Sequence, residues 1–102
     1  MKIVWTRRAY LSWLDAAQYI NKEFGLKALN KFNDKTKEWE KILLSMPTIG
    51  HIEPLLKGMS IMYRSIVISK QNKLIYFIES DNIIIADFWD VRREPKKLAQ
   101  NL

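Results

Sequence analysis

An α+β fold of order β-α-α-β-β-β is predicted by three features of the sequence. Two stretches with helical apolar spacing, parted only by Gly25, fill the first half. Three β-rich runs joined by short polar turns fill most of the second, and a short β-prone run opens the chain. At 102 residues, one domain spanning residues 1–102 is expected, long enough for a single hydrophobic core.

Lys2 to Trp5 is the opening strand. Thr6 follows it as a helix cap, because its hydroxyl can accept from a free backbone N–H of the first turn. Tyr10, Trp13, Leu14, Ala17, Ile20 and Phe24 then recur at spacings of three and four, placing them on one helical stripe. Gly25 ends that helix, since glycine takes a left-handed backbone at a helix C-terminus without steric cost. The second helix carries Leu29, Phe32, Thr36, Trp39, Leu43 and Met46 on one face and is closed by Pro47. Two amphipathic helices this close form an antiparallel hairpin whose stripes need a common apolar surface.

The sheet supplies that surface. After the irregular PTIGHIEP segment come Ile61 to Ile68, Leu74 to Ile78 and Ile83 to Trp89, linked by SKQN and ESDN. Links so short require neighbouring antiparallel strands, a three-stranded meander. A last basic segment has weak helical character. On the first of these strands Ile61, Tyr63, Ser65 and Val67 alternate with Met62, Arg64, Ile66 and Ile68, and both sides are fairly apolar. With helices on one side, the other is expected to be covered by a partner or shaped for binding.

Composition narrows the chemistry. Hydrophobic residues make up 48% and charged residues 27%, the balance of an ordinary folded chain. The absence of cysteine removes disulfides and thiolate chemistry. One histidine, His51, stands in a loop, which leaves no histidine metal cluster; Gly25, Gly50 and Gly58 are isolated, which leaves no phosphate loop. No cofactor and no metal are expected. The apolar runs LIYFI and IIIA are far too short to span a bilayer, and the N-terminus lacks the apolar run of a signal peptide, so a cytoplasmic protein with no membrane contact is expected. Glu79 and Asp81 read as turn residues, and Asp87 and Asp90 as partners for Arg92, Arg93 or Arg64 rather than as acid/base catalysts.

Charge is the more informative signal. Lys and Arg number 17 against 11 acids, giving +6 and favouring an acidic partner such as nucleic acid or an acidic protein segment. No acid occurs from Pro54 through Ile78, a span holding Lys57, Arg64, Lys70 and Lys73. Beyond Trp89 the chain adds Arg92, Arg93, Lys96 and Lys97 against Glu94. These residues are expected to form one basic patch that binds a partner or nucleic acid together with Trp89, with a solvated rim as the alternative. Arginines beside aromatics suit phosphates and bases.

These segments, in their order and spacing, resemble the RelE/ParE family of bacterial type II toxins. The resemblance covers nearly the whole chain: IVWTRRAYLSWL, the helix pair broken at FG with Ala28 and Phe32 after it, and a segment from LLKGM through Tyr63-Arg64 and Leu-Ile-Tyr at 74 to 76 to a strand ending in arginine. It implies the same β-α-α-β-β-β architecture and a growth-inhibiting, plasmid-stabilising type of toxin held inactive in a hetero-oligomer with a cognate antitoxin. RelE-like members cut messenger RNA on the ribosome; ParE-like members act on DNA gyrase. By position, Arg64, Lys73 and Arg93 fall where the nucleases keep basic residues that stabilise charge developing on phosphate. A second basic position of the family is Ile66 here, and the tyrosine or histidine that the nucleases place near the C-terminus has no counterpart after Tyr76. The expectation is therefore a toxin leaning to the ParE mode. The alternatives are a ribosome-dependent endoribonuclease using Arg64, Lys73 and Arg93, and a degenerate relative retaining antitoxin binding alone.

Overall fold

The computed structural model describes residues 1–100 and 102. Its elements are β1 (Lys2–Trp5), α1 (Arg7–Phe24), α2 (Leu26–Ser45), β2 (His51–Ile52), a 3₁₀ turn (Pro54–Leu56), β3 (Arg64–Val67), β4 (Asn72–Glu79), β5 (Asn82–Asp90) and α3 (Lys96–Gln100). The sheet has five strands in the order β1-β5-β4-β3-β2, and β1 runs parallel to β5 while every other pairing is antiparallel. The expected meander is thus β3, β4 and β5. The two-residue strand β2 extends it, and β3 is shorter than the apolar run from Ile61 suggests.

Thr6 performs the expected cap, accepting from the Ala9 N–H at 3.1 Å. Its own hydroxyl proton is shared between the carbonyls of Ile85 at 3.0 Å and Ala86 at 3.2 Å, which fixes the start of α1 to β5. Gly25 has φ 90° and ψ 178°, a region essentially reserved to glycine but not the left-handed helical one expected. Its N–H closes α1 on Asn21 and its carbonyl opens α2 with Leu29, so one residue serves both helices.

The stripe of α1 is rotated from the expected one, while on α2 Phe32, Thr36, Trp39 and Leu43 face inward as expected. Ala9 and Ala17 are the buried residues of α1, with Trp13 and Ala16 packed against the core, while Tyr10 and Phe24 are 51% and 67% exposed; Met46, the residue after α2, is also exposed. Small side chains at Ala9, Ala16 and Ala17 let α1 approach the sheet closely. Thr36 joins the two helices, donating to the Phe32 carbonyl and accepting from the Trp13 indole N–H at 2.8 Å, with the Trp13 and Phe32 rings stacked.

In β5 one residue is extra. Ile75 pairs with Asp87 but Tyr76 pairs with Ile85, so Ala86 forms a β-bulge. The bulge resets the alternation: Ile83, Ile85 and Phe88 all join the core under the helices, while Ala86 and Trp89 join the cluster on the other face. That second face is not left for a partner as expected. The chain covers it itself, with Leu56 of the 3₁₀ turn and Leu98 of α3 packed with Tyr63, Ile75, Ala86 and Trp89. Burying each leucine contributes about 2 kcal/mol of transfer free energy.

Tyr76 is fully buried and ties the sheet to the loop after α2, donating to the Pro47 carbonyl at 2.8 Å and accepting from the Gly50 N–H at 2.9 Å. Burial raises its phenol above the ordinary 10.0, against the opposing pull of the Gly50 N–H and Arg64. A raised folded-state value favours the neutral phenol, so this stabilisation is complete below pH 10 and disappears as pH rises through the folded value. Tyr76→Phe is expected to cost about 1–3 kcal/mol at neutral pH, through the two orphaned backbone groups. It should also flatten the alkaline fall of stability in urea titrations run across a pH series.

Candidate functional site

Of the expected basic residues, Lys70, Lys73, Arg92 and Arg93 lie near the end of β5, in unequal states, and the others lie apart from them. Asp90 closes that strand and forks Arg92: the guanidinium donates to both carboxylate oxygens at 3.0 and 2.8 Å, and the Arg92 N–H adds a third bond at 2.9 Å. The hydrogen bonds from Arg92 hold the Asp90 carboxyl below its ordinary range, and the carboxylate raises the guanidinium in turn. The expected pairing of Asp90 is therefore with Arg92. Asp87, buried, pairs instead with Arg8 of α1, Nε to Oδ2 at 3.1 Å, a partner outside the three arginines considered for it.

Arg93 projects over the Trp89 ring, its guanidinium carbon 5.5 Å from the centroid. Trp89 itself is 1% exposed, so it reaches a surface only through Arg93, not as the open stacking platform expected of it. The Val91 N–H donates to the Gln71 carbonyl at 2.8 Å, which sets the turn carrying Lys70 against the segment carrying Arg92 and Arg93. Between them and α1 lies a groove of about 300 Å³ lined by Asp15, Tyr19, Asn72, Asp90, Arg92 and Arg93 among others. With acids as well as arginines in its wall, this groove is not a dedicated anion cradle. Lys57 follows the 3₁₀ turn that packs on α3, and Lys96 and Lys97 begin α3, so these three exposed lysines border the second face.

Arg64 and Lys73 differ from this exposed set. Arg64 lies opposite Tyr76 in the β3–β4 pairing and so shares the helix side, where its guanidinium donates to the carbonyls of Gly50 at 2.8 Å and Thr48 at 3.3 Å. Lys73 lies opposite Trp89 on the other side, and its ammonium pairs with the buried Glu53. Of the three cations expected to hold a phosphate, Lys73 and Arg93 flank Trp89, while Arg64 stands on the opposite face of the sheet.

Glu53 was hidden in the sequence within PTIGHIEP. Its Oε2 accepts from the Leu55 N–H at 3.0 Å, capping the 3₁₀ turn, while the other oxygen meets Lys73. An acid immediately before proline is the signature of such a cap followed by a first-turn proline, and that was the available signal. His51 is exposed in β2, and Glu79 and Asp81 bracket the tight β4–β5 turn at Ser80 as expected. Among the described residues no group of three or more His, Cys, Asp or Glu is placed to hold a metal ion. No described helix is long and apolar enough to cross a membrane.

No protein-family model and no curated protein matches the chain. Solved structures do. The chromosomal ParDE TA system from P. aeruginosa aligns with TM-score 0.70 at 16% identity, over 88% of this chain and 95% of that one. A YoeB/ParE toxin from Agrobacterium tumefaciens gives 0.60 at 18% identity, over 88% and 98%. The YoeB dimer from Staphylococcus aureus gives 0.59 at 21% identity, over 87% and 94%. The likeness extends over nearly the whole of both chains in each case, and the chain has the RelE/ParE toxin fold.

Proposed function

We propose that this protein is the toxin of a type II toxin–antitoxin pair, neutralised by a cognate antitoxin, and that it acts in the ParE manner on DNA gyrase rather than by cutting messenger RNA. The toxin reading is supported by the shared fold with a ParDE system and with YoeB/ParE toxins. The choice of mode is carried by one observation: Arg64 and Lys73 lie on opposite faces of the sheet, each engaged by an acceptor of its own chain. In-line attack on a phosphate needs fixed cations converging on one phosphorus, with a general acid/base beside them. Here the exposed cations Lys57, Lys70, Arg93, Lys96 and Lys97 are spread over a rim, an arrangement that suits gripping a large acidic partner.

Purified protein added to gyrase and supercoiled DNA is expected to trap cleaved DNA, and Arg93→Ala to weaken that effect by about 2 kcal/mol, on the order of 30-fold in the protein needed. Undisturbed supercoiling together with ribosome-dependent cuts in a translating lysate would establish the nuclease reading instead. Normal growth on expression without an antitoxin would leave only the degenerate relative.

A further inference from the structure

We infer that a cleft of about 280 Å³ between β1, α1 and α2 is a receiving site for an arginine side chain presented by a protein partner. Trp5, Tyr10 and Trp13 line it, with Thr36, Lys37 and Glu40 of α2 on the other wall. The two indole N–H groups are spent: Trp5 donates to Glu40 Oε2 at 3.2 Å and Trp13 to Thr36 at 2.8 Å. Both rings are thereby fixed in place and offer carbon surface rather than donors. Tyr10, expected in the core from the helix periodicity, is half exposed at this cleft instead.

Glu40 decides the chemistry. It is half-buried, and among the described residues it forms no ion pair, although Lys37 precedes it by one helical turn and Lys41 follows it. A neutral indole N–H satisfies one carboxylate oxygen and leaves the carboxylate without a salt-bridge partner beside aromatic walls, although Lys37 lines the same cleft. A guanidinium meets both demands, with its edge on the free carboxylate oxygen and its plane against an aromatic ring. An ammonium is more strongly hydrated and loses more on entering such walls. An apolar side chain would desolvate Glu40 without pairing it, and a nucleic acid would bring phosphate to a carboxylate. The site is separate from the basic rim, and this inference stands whether or not the toxin reading holds.

The test is a titration of the full, ¹⁵N-labelled chain with N-acetyl-arginine amide, followed at the four tryptophan indole N–H resonances. Trp5 and Trp13 are expected to shift saturably, with a dissociation constant on the order of 1–10 mM, while Trp39 and Trp89 hold still. Glu40→Gln, which keeps an acceptor for Trp5, should weaken binding about 5- to 10-fold, and Lys37→Ala, which removes a competing like charge, should tighten it about 2-fold. Tyr10→Ala, at a half-exposed position, should weaken it about 3-fold and gives a second reading if the Glu40 variant does not fold. Equal shifts from the neutral isostere N-acetyl-citrulline amide, or no saturable shift at Trp5 and Trp13, would overturn the inference.

Discussion

Glu53→Ala is expected to lower the unfolding free energy by about 3–5 kcal/mol, because it strands the Lys73 ammonium, largely buried on the second face of the sheet, without its carboxylate. The same change removes the cap of the 3₁₀ turn, whose Leu55 N–H loses its acceptor. Since that turn carries Leu56 into the cluster shared with α3, the loss propagates to the covering of the second face. Replacing both partners by leucine is expected to restore most of the stability, since an apolar pair of similar volume avoids the cost of two desolvated charges. Urea titrations decide the matter: a midpoint that falls in the single variant and recovers in the double one, at unchanged slope, identifies the pair as the cause. A single variant within 1 kcal/mol of the parent chain, on the order of the value of an exposed pair, would show that Lys73 finds water instead.

Trp89→Ala is expected to cost a comparable amount, about 3–5 kcal/mol, by emptying the centre of the cluster formed with Leu56, Tyr63, Ile75, Ala86 and Leu98. Its functional signature differs from that of Glu53. The Arg93 guanidinium loses the ring beneath it, so the position of that arginine should become less defined even under conditions where the chain stays folded. If Arg93 grips a partner, Trp89→Phe should preserve both stability and activity far better than Trp89→Ala, because a ring remains. Equal loss of the gyrase trapping proposed above in both variants, at equal folded fraction, would show that the ring does not position Arg93.

What the sequence made legible was whatever a period could express. β1, both long helices and β3 to β5 were read from apolar spacing, and the Thr6 cap and the Gly25 break from the conformational preferences of those residues. The single extra residue Ala86 could not be read, because the run IIIADFWD is apolar enough on both sides that neither phase of alternation stands out. β2 is two exposed residues inside a Pro- and Gly-punctuated segment, and no periodicity exists at that length. The site suffered more. A count of basic residues found every cation but not its state, since whether an arginine is free depends on carbonyls such as those of Thr48 and Gly50, and these enter its reach only through the fold. The Glu53–Lys73 pair joins two residues twenty positions apart whose meeting depends on how a short turn packs against the sheet.

The parallel pairing of β1 with β5 also governs when this protein can exist at all. The strand synthesised first finds its neighbour only in the strand synthesised last, and the Thr6 hydroxyl finds its acceptors 80 residues later at Ala86. Closing a loop of that length is a late event in folding, paid before its contacts return anything. Until β5 has been made, β1 has no partner in the sheet and α1 lacks the backbone to which its cap is fastened. The five-stranded sheet therefore closes only after β5 has emerged, and until then the first strand and the start of the helical hairpin lack the strand that anchors them.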